Sequence, residues 1–89
     1  MESRMQERKE ARKFIDRTVV TKSGKKLGMV GELTFDPRTG ELMAIVLKSP
    51  TSYIDHLEVD QNRNGHWLLP FSSVIADGDF IVVAEEDIV

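Results

Sequence analysis

Three observations predict an all-β fold, a small barrel preceded by an N-terminal arm that is helical or flexible. Short apolar runs recur at close spacing from residue 18 onward, each run is bounded by turn residues, and one of them alternates in period two between apolar and small or polar positions. So few strands favour a barrel, because closure removes most exposed edges. A chain of 89 residues has room for one such domain and one core.

The arm, residues 1–17, is a separate compositional block. Arg4, Arg8, Lys9, Arg12, Lys13 and Arg17 outnumber its acids, whereas the remainder, residues 18–89, is acidic and ends in Asp77, Asp79, Glu85, Glu86 and Asp87. Ser3 and Gln6 have capping-box spacing, and Ala11, Phe14, Ile15 and Thr18 fall at i, i+3, i+4 and i+7. These spacings predict a helix that frays at its start and docks through Phe14 and Ile15. Its apolar face is too narrow for a membrane-surface helix, and the start has no apolar h-region of a secretory signal. No run approaches the roughly 20 apolar residues of a membrane span. Cysteine is absent, which fits a reducing cytoplasm and removes disulfides, thiolate metal sites and cysteine nucleophiles together.

The elements follow in order. Val19 and Val20 begin a strand that turns at Ser23-Gly24-Lys25-Lys26. Leu27, Met29, Gly31, Leu33 and Phe35 then alternate with Gly28, Val30, Glu32 and Thr34, the pattern of a strand with one buried face. Asp36-Pro37-Arg38-Thr39-Gly40 reverses the chain. The strand returns through Leu42, Met43, Ala44, Ile45, Val46 and Leu47, which is apolar on both faces. Leu42, Ala44 and Val46 form one face and Met43, Ile45 and Leu47 the other. A small barrel fills one interior, so this strand is the candidate for self-association, and the expected state is a homodimer. Residues 51–59 fit either a short strand or one helical turn. Asn64-Gly65 predicts a two-residue hairpin turn. Beyond it Trp67, Leu69 and Phe71 alternate, with Pro70 placing the strand near an edge or bulge. Asp77-Gly78-Asp79 leads into a last strand, residues 80–84.

No catalytic, cofactor or metal site is expected. Asp60, Asn62, Asn64 and Gly65 match the first half of a calcium-binding EF-hand loop, but the glutamate required at position twelve falls on Phe71. The same residues cap a turn through side-chain-to-backbone bonds. His56 lies near Asp55, Glu58 and Asp60, yet neither it nor His66 has zinc-site spacing. Ser49, Ser52, Ser72 and Ser73 lack a nucleophile elbow, and Gly24 and Gly28 lack the rest of a phosphate loop. Tyr53, Trp67, Arg8 and Arg12 are the candidate partner-contact residues. Aromatic stacking on single-stranded nucleic acid is the competing use for Tyr53 and Trp67. An acidic barrel with scattered lysines disfavours it and leaves the basic arm as the site of any RNA contact.

Gly24-Lys25-Lys26-Leu27-Gly28-Met29-Val30, then Phe35-Asp36-Pro37-Arg38-Thr39-Gly40-Glu41, then residues 42–47 resemble the PRC-barrel family. So do Leu69-Pro70-Phe71-Ser72-Ser73-Val74 and Asp77-Gly78-Asp79-Phe80-Ile81-Val82-Val83. The resemblance spans residues 18–84 and implies a PRC-type β-barrel that acts as an interaction module, not an enzyme. Members occur in the photosynthetic reaction centre, in a ribosome-maturation factor and as stand-alone archaeal proteins. This chain is similar to the stand-alone type, which implies an adaptor in archaeal cell division, recruited to the division site through SepF, the membrane anchor of the FtsZ ring. The alternative is an accessory role in ribosome maturation or RNA processing.

Overall fold

The computed structural model describes residues 12–88, so Arg8 and most of the arm lie outside the described residues. Within them the arm is one 3-10 turn, Arg12–Phe14, instead of the last turns of an α-helix. Asp16 breaks the helical path by adopting φ 71°, a left-handed conformation that Asp tolerates better than most residues. Its N–H then donates to the Val30 carbonyl at 2.8 Å, and the Val30 N–H donates to Arg17 at 2.9 Å. Backbone pairing has thus replaced helical hydrogen bonds. Phe14 and Ile15 do pack against the core.

Seven strands follow: β1 (Thr18–Thr21), β2 (Lys26–Phe35), β3 (Leu42–Lys48), β4 (Asp60–Gln61), β5 (Trp67–Pro70), β6 (Val74–Ala76) and β7 (Phe80–Val83). They make one sheet in the order β4-β5-β3-β2-β1-β7-β6. All pairs are antiparallel except β1 with β7. No ladder joins the end strands β4 and β6. Closure is covalent instead: β5 runs through the 3-10 turn Phe71–Ser73 directly into β6, carrying the chain from one side of the sheet to the other. Phe71 therefore belongs to this turn and not to a strand. Pro70 ends β5 beyond the two residues that β4 pairs, so its missing N–H costs no β4–β5 bond.

The ambiguous stretch at residues 51–59 resolves as a 3-10 helix, Ser52–His56, with Ile54 buried. One core gathers Val19, Leu27, Val30, Ile45, Leu47 and Leu69 with Ile81 and Val83, capped by Ile54, Val59 and Ile88. Every long strand contributes, as expected of a sheet wrapped on a single interior.

Strict alternation fails in β2. Leu27 and Val30 are both fully buried, although they sit on opposite faces of a regular strand. Two irregularities explain this. Against β1 the register steps from Gly28 to Lys26, leaving Leu27 extra; against β3 it steps from Val30 to Glu32, leaving Gly31 extra. Each β-bulge shifts the side-chain phase by one residue. Glu32, which period two from Val30 would bury, is thereby turned to solvent, and Leu33 returns to the core side.

A bulge also divides β3. The pairs Phe35 with Leu42 and Thr34 with Ala44 leave Met43 extra. The two alternating sets are therefore broken: Ile45 and Leu47 enter the core, but Met43 is 55% exposed. Val46, on the outward side, is only 5% exposed within this one chain. What β3 leaves open to another chain is its Met43 end.

Candidate interaction surface

The Gly31 bulge organises the surface around it. Two open grooves meet at Gly31 and Glu32. One, about 430 Å³, is floored by Val46 and Leu47 and walled by Lys48, Pro50, His66 and Trp67. The other, about 660 Å³, is bounded by Arg12, Ile15, Leu33, Phe35 and Pro37. Gly31 cannot carry a side chain without crowding the neighbouring strand, since a Cβ there would lie 3.1 Å from Lys48 Cβ and 3.2 Å from the Val46 carbonyl oxygen. Glu32 stands exposed between the grooves and, among the described residues, takes part in no ion pair. The nearby cation Lys48 is engaged by Asp16.

Trp67 and Arg12 thus lie on opposite sides of one continuous surface. Trp67 is half-buried, because its pairing with Gln61 on β4 sets it at the end of β5, where it also packs against the core. Tyr53 belongs elsewhere. It sits on the 3-10 helix Ser52–His56, with its ring tilted on His56 at a centroid distance of 5.4 Å. Its hydroxyl donates to Glu85 Oε2 at 3.0 Å, and Ser23 Oγ donates to Glu85 Oε1 at 2.8 Å. The Ser23 hydroxyl is in turn 2.9 Å from that of Thr21, which is buried. These bonds favour the Glu85 carboxylate, and its pKa falls below the ordinary value, Ser23 first and Tyr53 second. Glu85 conversely raises the Tyr53 pKa. Lys22 pairs with Glu86, raising the lysine and lowering the glutamate. Tyr53 is thereby a clasp between three loops, distant in role from the grooves.

The turn that matches half of a calcium loop in sequence is occupied by its own backbone. Asn62 Oδ1 accepts the N–H groups of Asn64 and His66, each at 2.9 Å. The Asn62 N–H donates to the His66 carbonyl at 2.8 Å, so the loop holds three residues, Arg63, Asn64 and Gly65, not two. Only Gly65 has positive φ, 82°, whereas a two-residue turn of the expected type needs it at Asn64 as well. Among the described residues no group of three or more His, Cys, Asp or Glu side chains is placed to hold a metal ion.

Glu32, Lys48 and Pro50 are not among the contact residues that the sequence predicts. The signal that points to them is Gly31, since a lone glycine inside a strand pattern marks a bulge or a close backbone approach.

A single covalently closed sheet with open grooves on its outer wall defines a small all-β module. Residues 6–87 match the model of the PRC-barrel domain, and the chain belongs to that family. Such domains are general small β-barrel modules, often found in protein-interaction or ribosome-maturation contexts. No curated protein matches the chain. No described helix is long and apolar enough to cross a membrane.

Proposed function

We propose that the chain is a non-enzymatic adaptor that seats a protein partner across the two grooves at Gly31 and Glu32. The observation that carries this is the bulge itself. It sets a carboxylate with no ion pair among the described residues between two partly apolar grooves, with Trp67 beside one and Arg12 beside the other. Apolar contact area with a few polar groups to fix orientation is the usual anatomy of a specific interface. In the division context that the family resemblance implies, the partner is SepF, and the chain is a cytoplasmic protein recruited to the FtsZ ring.

The test is binding of the full chain to immobilised SepF. Glu32→Lys and Arg12→Glu alter exposed side chains and leave the core intact. Each is expected to weaken binding by about tenfold or more, as at other interface positions that matter. Tyr53→Phe is expected to bind as the parent does. Absence of SepF binding, together with co-sedimentation of the chain with ribosomal particles, replaces the division role with the ribosome-maturation alternative. Salt-sensitive RNA binding that Arg12→Glu abolishes points to the arm in place of the grooves.

A further inference from the structure

The wall formed by β1 and β7 carries a second apolar surface. Val19, Ile81 and Val83 face the core, so Thr18, Val20, Phe80 and Val82 face outward. The parallel register aligns them, Thr18 beside Phe80 and Val20 beside Val82. Antiparallel pairing extends the rows, setting Met29 beside Thr18 on one flank and Ala76 beside Val82 on the other. Phe80 is 55% exposed, and Ile75, the bulged residue of β6, is 51% exposed. Two of the three large exposed hydrophobic side chains of the described residues therefore lie on or beside this wall. Isolated apolar residues on a surface are ordinary. Two adjacent rows of three strands each, Met29-Thr18-Phe80 and Val20-Val82-Ala76, instead form a contiguous and mostly apolar patch of the kind that marks an interaction site.

Charge at one end of the wall selects the occupant. The Arg17 guanidinium donates to the Gly78 carbonyl and to the Lys13 carbonyl, bringing Lys13 and Arg17 to the Asp77-Gly78-Asp79 turn. Among the described residues, none of Lys13, Arg17, Asp77 and Asp79 takes part in an ion pair. A partner of one charge sign meets repulsion from half of this set. A second copy related by a two-fold axis presents each sign to the other, as self-complementary contacts require.

We propose that the outward face of β1 and β7, centred on Phe80 and Val82, is where a second copy of this chain docks. The pairing leaves the grooves at Gly31 free, so the dimer presents them twice.

The full chain is to be measured by sedimentation equilibrium beside Phe80→Glu and Met43→Glu, with circular dichroism to report folding. A dimer is expected, its dissociation constant raised about 30-fold or more by Phe80→Glu and unchanged by Met43→Glu. The charge pattern has its own readout: Asp79→Lys weakens the dimer, and adding Lys13→Glu in the same chain restores it. Because the chain has no cysteine, Thr18→Cys and Phe80→Cys each give a single thiol for oxidative cross-linking without placing a charge in the sheet. Cross-linked dimer from at least one of them is expected. The proposal is overturned by a parent chain that stays monomeric to hundreds of micromolar, by no cross-link from either thiol, or by a dimer that Met43→Glu dissociates and Phe80→Glu does not.

Discussion

Glu85 gives the clasp at the chain's C-terminal end a defined pH dependence. The hydrogen bonds from Ser23 and Tyr53 hold its folded pKa below the unfolded value. Its contribution is thus complete above the unfolded carboxylate range, roughly pH 4.3, and disappears as pH falls through the lower folded value. Tyr53 and Lys22 act at the other limit. Their folded values are raised, so their contribution is complete below roughly pH 10 and is lost as pH rises through the folded values. Urea midpoints for Glu85→Gln should show a shallower decline on the acid side than the parent; an identical acid limb refutes the role of this carboxylate. Gly28 offers a steric prediction. A Cβ there would lie 3.0 Å from the Lys48 carbonyl oxygen and 3.2 Å from Pro50 Cα, both backbone atoms with little room to yield. Gly28→Ala should therefore cost about 1–3 kcal/mol in equilibrium unfolding, the range for overpacked sites. Neither feature is legible in the sequence. Ser23, Tyr53 and Glu85 are far apart along the chain, and nothing in their local spacing announces that they meet.

At the level of elements, most strands and turns follow from local chemistry, and the departures within β2 and β3 have one cause. Alternation in β2 and β3 predicts two clean faces, whereas bulges at Leu27, Gly31 and Met43 change the phase. Tertiary register decides where a bulge falls, so a window of residues does not reveal it; Gly31 alone carried a local sign. The loop after β4 teaches the same lesson on a smaller scale. Asn64-Gly65 is a strong turn signal, but Asn62 sets the loop length by accepting two N–H groups. Asn62→Ala removes both bonds at a partly solvated site and should cost about 1 kcal/mol. Calcium should leave the melting temperature of the parent unchanged relative to chelator, since Asn62 Oδ1 already serves the backbone. A rise of several degrees with calcium would show that the loop can rearrange around the ion.

For the molecule as a whole, the order and spacing of motifs identify the family, while no single motif does. The parallel pairing of β1 with β7 was not legible, because it joins segments from opposite ends of the chain and depends on closure. That closure runs through Phe71–Ser73 and rests on few bonds. Ser73 is fully buried and its hydroxyl donates to the Pro70 carbonyl at 2.6 Å, while its own carbonyl accepts the Ala84 N–H at 2.8 Å. One turn thereby ties β5, β6 and the C-terminal end of β7 together. Because the core draws side chains from both sides of this turn, the sheet cannot open there without exposing Leu69 and Val83. Unfolding should accordingly be one cooperative transition. Trp67, the only tryptophan, opens β5, the strand that leads into the closing turn, and reports the β4–β5 side, while far-ultraviolet circular dichroism reports the whole sheet. The two probes should give coincident urea curves in the parent. Ser73→Ala should lower stability by about 1 kcal/mol, the usual net worth of one hydrogen bond, and keep the curves coincident. A tryptophan transition that precedes the dichroism change would show that β4 and β5 detach as a separate unit, and that the covalent link alone does not close the barrel.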